Sequence, residues 1–179
     1  MTKKELIEKL YKRFADCQKC PLAKSRTKIV MGSGNFDAKI MFIGEAPGAE
    51  EDKIGEPFVG KSGKFLREQM HAQLIDISKI FITNIVKCRP PQNRLPKASE
   101  SNICTALLLL PQIDIIQPEI IVTVGNLAAK QIKILFGQEE KNKFQIIHLP
   151  HPAYIIRNPK LLKNYQEIFK KIASACNKT

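Results

Sequence analysis

The fold this chain predicts is an α/β sandwich around a central parallel sheet, and three observations point to it. Short apolar runs rich in β-branched residues at 40–43, 80–86 and 120–124 read as buried parallel strands. They alternate with stretches of helical periodicity near 62–76, 97–113 and 126–136. The segments richest in Gly, Pro and charged residues each follow a strand, where open α/β sheets carry their ligand loops. With 179 residues, 44% of them hydrophobic, the chain can bury one sizeable core. No repeat, low-complexity tract or linker marks a second unit, so a single domain over 1–179 is expected.

In chain order, Thr2-x-x-Glu5 is a capping box, and Leu6, Ile7, Leu10 and Phe14 share one face of a helix expected over 3–15. The helix ends at a polar loop carrying Cys17 and Cys20. The run 40–43 then enters Gly44-Glu45-Ala46-Pro47-Gly48-Ala49-Glu50-Glu51-Asp52, followed by Gly55-Glu56-Pro57-Phe58-Val59-Gly60. Glycine and proline tighten such a loop, so that main-chain N–H groups can converge while acidic and aromatic side chains stand around them. This is the build of a pocket for a flat polar molecule. The second strand leads into the loop 84–96, and a last strand near 145–148 leads into the loop 149–157. A basic helix near 160–175 closes the pattern. All three loops follow strands of one parallel sheet, so they should converge.

The 29 Lys and Arg against 17 Asp and Glu give a net charge of +12. Such a surplus favours a polyanionic partner through counterion release, nucleic acid foremost. A lysine-rich genome would leave the same surplus. No apolar run approaches the roughly 20 residues that span a bilayer, and Met1-Thr2-Lys3-Lys4-Glu5 opens an amphipathic segment instead of a signal-peptide core. A cytoplasmic protein with no membrane partner is expected. Five cysteines there argue against a disulfide framework. Cys17-x-x-Cys20, Cys88 and Cys104 remain as a candidate metal set, with Cys176 a spare near the tail. The second pair is spread over a loop and a helix, unlike a zinc ribbon, and suits a four-thiolate iron–sulfur cluster at least as well. The plainer alternative is an ordinary C-x2-C and two unrelated buried thiols.

Asn84, at the end of the second strand, offers one acceptor and two donors, enough for a bidentate match to the Watson–Crick edge of a base. The same amide also suits structural bonding to nearby backbone. Lys87-Cys88-Arg89-Pro90-Pro91-Gln92-Asn93-Arg94-Leu95-Pro96 is a stiff cationic loop, suited to phosphate contacts or simply to a solvated turn. His148 and His151 flank Leu149-Pro150 after the last strand, at the edge expected for Glu45 and Asn84. Ile155 and Ile156 read either as core residues of the next helix or as wedges for a base stack.

Taken together these pieces resemble the family 4 uracil-DNA glycosylases, the iron–sulfur branch of the uracil-DNA glycosylase superfamily. The likeness runs from Cys17 to about Arg157 and is specific in combination: the paired cysteines with Pro21-Leu22, Gly44-Glu45-Ala46-Pro47-Gly48 with Glu51-Asp52, Pro57-Phe58-Val59-Gly60-x-x-Gly63, Thr83-Asn84, Lys87-Cys88-Arg89-Pro90-Pro91-x-Asn93-Arg94-x-Pro96, Cys104 and His151-Pro152-Ala153. It implies a three-layer α/β/α sandwich and a [4Fe–4S] cluster on Cys17, Cys20, Cys88 and Cys104. It implies an enzyme of DNA repair that flips uracil out of DNA and hydrolyses its N-glycosidic bond.

By the same resemblance Phe58 stacks on the flipped base, Asn84 bonds its O4 and N3–H, and backbone at Gly44, Glu45 and Ala46 holds the ring. His151 is the donor at O2, and Arg89, Arg94 and Arg157 grip phosphates of uracil-containing DNA. The superfamily member with Gly-Gln-Asp-Pro in this loop uses its Asp for the attacking water, and here that position is Ala46. Glu45 and Asn93 are the candidates to orient the water, Glu45 first. The protein is expected to act as a monomer. A non-catalytic iron–sulfur DNA-binding module serving replication is the alternative, and it leaves Glu45, Phe58, Asn84 and His151 without a shared purpose. A relative with broader base choice is a second alternative; its adduct-forming version is weakened by the lack of an Arg-Arg-Ile-His stretch.

Overall fold

The structure is a computed structural model that describes residues 1–137 and 143–176. Helix α1 (Lys3–Arg13) opens with the capping box, in which Thr2 and Glu5 each accept the other's backbone N–H, and it buries Ile7. A two-residue strand β1 (Ser33–Gly34) precedes β2 (Ile40–Gly44) and a short helix α2 (Ala49–Ile54). Then come α3 (Lys61–Ala72), β3 (Ile80–Asn84) and α4 (Ala98–Cys104). A π-helical turn, Thr105–Leu109, joins α4 to α5 (Leu110–Ile116). The chain continues through β4 (Ile120–Val124), α6 (Asn126–Phe136), β5 (Gln145–Leu149), α7 (Pro152–Arg157) and α8 (Leu162–Cys176).

The sheet order is β1-β3-β2-β4-β5, parallel throughout except for β1, which pairs antiparallel with β3. Alternation along the strands divides the core in two. Met41, Ile43, Phe81 and Ile121 pack on one face with α1, α5 and α6, while Phe42, Ile80, Ile82 and Val122 pack on the other with α3 and α8. The result is the expected α/β/α sandwich.

Several boundaries differ from the sequence reading for identifiable reasons. Strand β3 ends at Asn84, and the next two residues still reach across, Ile85 N to the last carbonyl of β2 at Gly44 and Val86 N to Glu45 in the loop that follows it. The helix expected to 76 ends at Ala72, since Leu74 takes a left-handed conformation (φ 55°) that an α-helix does not accept. Helices α2 and α7 lie inside segments read as loops; each spans six residues, too few to show a periodic apolar face. Register places Gly44 opposite Asn84 and Val124 opposite Leu149, so the loops after β2, β3 and β5 emerge side by side at the carboxyl edge.

Candidate active site

Those three loops enclose a cleft of about 580 Å³ whose lining includes Glu45, Phe58, Asn84, Asn93, His151 and Arg157. Its inner wall is a narrow slot. A Cβ on Gly44 would stand 2.4 Å from Asn84 Oδ1 and 2.5 Å from Phe58 Cζ, so only glycine lets strand β2 pass behind these two side chains. Phe58 is buried and holds a left-handed backbone (φ 55°). The start of α3 approaches it so closely that a Cβ on Gly63 would lie 2.0 Å from its carbonyl carbon and oxygen. Asn84 is 2% exposed, and among the described residues its side-chain amide has no hydrogen-bond partner. Both faces of its recognition capacity are therefore available to a ligand.

Glu51 fixes this wall. Its Oε1 accepts from Val59 N (3.0 Å) and Gly60 N (2.8 Å), and its Oε2 accepts from Gly48 N (3.1 Å). One carboxylate thus ties the two halves of the β2 loop together. Asp52, next to it and buried, accepts from Thr27 N (2.8 Å) and Lys28 N (3.3 Å), docking the segment after the first cysteine pair.

Glu45 lines the same cleft. Its Oε1 accepts from Leu127 N (3.0 Å) at the start of α6, where the helix dipole favours negative charge. This contact needs Gly125, which is at φ 97° and whose Cβ would come within 2.4 Å of the same oxygen. His151 caps α7: its Nδ1 accepts from Ala153 N (3.1 Å), which leaves the ring proton of the neutral imidazole on Nε2 as a donor. Burial pulls the pKa of His151 below its ordinary value; the nearby Glu45 opposes this, Arg157 adds to it, and Glu51 opposes it more weakly. The imidazole is consequently neutral at neutral pH.

The remaining candidates are distributed unevenly. Ala46 lines the cleft, and Gly44 stands behind it as backing. Asn93 also lines it, but its Oδ1 accepts from Arg89 Nε (2.8 Å), and Arg89 stands outside the lining. Arg94 faces the cleft with its guanidinium already forked onto Glu100, at 2.9 and 2.7 Å. Glu100 is 1% exposed and also accepts from Lys97 N, and the Arg94 guanidinium holds its carboxyl below the usual range. This is a loop brace, a different use from the phosphate contact the sequence suggests. Ile155 is core and Ile156 is half-buried; the exposed apolar groups at the rim are Leu95 and Tyr154.

The cysteines form a second constellation. Cys88 and Cys104 are buried and Cys17 and Cys20 pack against the same core. Cys88 feels the charge of Cys104 and Cys20, and Cys104 that of Cys20 and Cys17, so the four share one neighbourhood. Arg26 Nη1 lies 3.7 Å from Cys88 Sγ, and Lys87 N donates to Cys104 Sγ at 3.3 Å. Burial, with smaller contributions from Cys104 and Cys20, pushes the Cys88 thiol up to about 12, and Arg26 works against it. Donors aimed at sulfur fit a set of bound thiolates. Among the described residues no three Cys, His, Asp or Glu side chains stand close enough to form a metal-binding group. Cys176 lies elsewhere, beside Leu74 and Asn35 at the opposite edge of the sheet.

The profile of the Uracil DNA glycosylase superfamily matches residues 31–173. This chain belongs to that superfamily. A type-4 uracil-DNA glycosylase of Archaeoglobus fulgidus is 37% identical to it, over 97% of this chain and 95% of its own length. Another type-4 enzyme, from Sulfurisphaera tokodaii, is 42% identical over 93% of this chain and 83% of its own. This places the chain in the type-4 branch. The crystal structure of Pedobacter heparinus SMUG2 superposes with a TM-score of 0.54 and 16% identity, covering 78% of this chain and 75% of that one, and it supports the fold.

In this glycosylase-superfamily member the task of Glu51 is not evident from sequence, although the Gly48-x-x-Glu51 spacing is that of a helix-capping pair. Gly125 was also missed. A lone glycine between a strand and a helix carries no signal until the partner that crowds it, 80 residues earlier in the chain, is known.

Proposed function

We propose that the cleft receives a uracil flipped out of DNA and that the chain hydrolyses its N-glycosidic bond, leaving an abasic site, as the first step of base excision repair. The observation that carries this reading is the convergence of an unpartnered buried amide, an aromatic ring, a neutral histidine and a dipole-held carboxylate in one cleft. Extrusion is required because neither C1′ nor the base edge can be reached inside the duplex. Phe58 stacks on the ring. The Asn84 amide donates to O4 and accepts from N3–H; cytosine offers the reverse pattern, and mismatching a buried amide costs on the order of 1–3 kcal/mol.

When the C1′–N1 bond breaks, its electron pair leaves with the base and charge gathers on O2. His151 donates there from Nε2, with the ring oriented by the N–H of Ala153. The Glu45 carboxylate faces the cationic sugar and orients the water, which adds its oxygen to C1′ and gives its proton to that carboxylate and thence to solvent, while the uracil anion takes up a proton from solvent. Asn93, whose oxygen already accepts from Arg89, is the second candidate for this water. Arg89 and Arg157 contact flanking phosphates, and Arg94 stiffens the loop between them through Glu100.

Cys17, Cys20, Cys88 and Cys104 are the residues that would hold a [4Fe–4S] cluster, a reading supported by their shared neighbourhood and by the Arg26 and Lys87 donors. When bound, that group supplies iron–thiolate bonds that cross-link the loop after α1, the loop after β3 and the end of α4. The chain works as a cytoplasmic monomer of one domain over 1–179; no helix among the described residues is long and apolar enough to cross a membrane. A non-catalytic iron–sulfur DNA-binding module has no use for the organised slot and is set aside. The deciding experiment incubates purified protein with an oligonucleotide carrying one uracil, treats with alkali and looks for scission at that site. Folded, iron-replete protein that leaves the strand intact refutes the proposal.

A further inference from the structure

Lys87 has no part in the chemistry above. Its place in a cationic loop suggests a phosphate contact, yet it is 0% exposed. A buried ammonium is costly unless hydrogen-bonded, and among the described residues it meets neutral oxygens and no carboxylate: Nζ donates to Thr83 Oγ1 (2.5 Å) and to Asn84 O (2.7 Å). The Thr83 hydroxyl in turn donates to Met31 O (2.9 Å). The backbone of Lys87 is held as firmly. Its N–H donates to Cys104 Sγ (3.3 Å) and its carbonyl accepts from Val30 N (2.8 Å). Between Asn84 and Lys87 the chain crosses to the β2 loop, through Ile85 N to Gly44 O (2.8 Å) and Val86 N to Glu45 O (3.3 Å).

One residue therefore grips a cysteine sulfur with its main chain and reaches back with its side chain to the strand end that carries Asn84. We infer that Lys87 is a positioning residue that couples the four-cysteine region to the end of β3 that reads the base. The inference rests on the reading of Asn84 as the uracil contact and of the cysteines as cluster ligands.

The test is Lys87→Met, which keeps length and apolar bulk and removes the donor, alongside Thr83→Val, which removes one acceptor. Iron content, single-turnover excision from a uracil oligonucleotide, and amide hydrogen exchange at Ile85 and Val86 are measured for each. Leaving a buried acceptor without its donor changes an equilibrium by about 10-fold. Lys87→Met should keep its iron and its affinity for DNA while exchange at Ile85 and Val86 rises and excision falls by that factor, with Thr83→Val shifted less in the same direction. Should Lys87→Met fail to fold, Thr83→Val and wild-type protein stripped of iron carry the test, and both must show faster exchange at these two amides. Unchanged exchange in the folded proteins overturns the coupling. Exchange can be read whether or not the wild type cleaves uracil, so an inactive wild type refutes the functional reading and leaves this one standing or falling on its own measurement.

Discussion

The loops after β2 and β3 face each other across the cleft but are held by different physics. The β2 loop is fastened by carboxylates on backbone N–H groups, three at Glu51 and two at Asp52, and by glycines that admit close neighbours at 44 and 63. The β3 loop has two residues in succession, Gln92 and Asn93, in the left-handed region (φ 54° and 55°), and it is held by the Arg94–Glu100 fork and by contacts at Cys88 and Cys104. The first wall is largely self-sufficient. The second packs against thiols drawn from three separate parts of the chain, so under the proposed function its order is tied to the cluster they would hold.

The largest expected effect comes from the group that stands between the two walls. His151→Ala should lower the single-turnover rate of uracil excision by ~10²–10³, the range for loss of one preorganised donor at a developing oxyanion. Affinity for an uncleavable uracil-analogue oligonucleotide should stay nearly intact. If the rate is unchanged, the donor at O2 comes from one of the walls and the comparison must be redrawn.

Next in size are two substitutions that take down one wall each. Glu51→Ala strips three N–H groups of their acceptor and should cost about 1–3 kcal/mol by urea denaturation, with iron content untouched and exchange increased over 44–60. Cys88→Ser should do the opposite: iron and visible absorption are lost, exchange rises over 84–104, and the β2 loop keeps its protection. Were both loops to loosen together in either variant, the walls would be one cooperative unit and the distinction would fail.

The same contrast decides what could be read from the sequence. The β2 wall was legible because its parts are local: strand, glycine, proline and phenylalanine within 20 residues, with the capping spacing at Glu51 visible if unassigned. Strands β2, β3 and β4 were legible because apolar runs buried on both faces are hard to mistake. The short edge strand β1 was not, since two residues, Ser33 and Gly34, have no periodicity. Nor were the second use of Arg94, expected at a phosphate, and the role of Lys87, legible only as part of a cationic loop, because a cation in a loop looks solvated until Glu100 or Thr83 is found beside it. The clasp of Glu45 on the start of α6 joins residues 82 apart, which no local pattern reports.

A smaller effect tests the state of His151. The unfolded chain takes up the imidazole proton around the ordinary value of 6.5, and the folded chain only at lower pH because burial disfavours the charged ring. Over that interval the unfolded state binds more protons, so stability contributed by the neutral ring is present above 6.5 and is lost as the pH falls below it. Denaturation midpoints measured from pH 7.5 to 5 should decline for the wild type and less steeply for His151→Ala. Parallel declines would place the titration in other groups.

The smallest effect separates arginines that meet DNA from the one that braces the β3 wall. Each phosphate neutralised on duplex DNA contributes about 0.9 to the slope of log affinity against log salt, and about 0.7 on single strands. Arg89→Ala and Arg157→Ala should each make that slope shallower by this amount, measured with an uncleavable uracil-analogue oligonucleotide at several salt concentrations. Arg94→Ala should barely change the slope, because its fork is spent on Glu100; it should instead lower stability by leaving a buried carboxylate without its cation. Lys3→Ala and Lys4→Ala, on the distant helix α1, report the background field. Equal slopes for all five variants would mean that the surplus of +12 steers DNA as a whole and that no arginine of the loops is a dedicated clamp. A slope change at Arg94 as large as at Arg89 would mean that Arg94 lets go of Glu100 when DNA binds, and the β3 wall would then be remade by the substrate it receives.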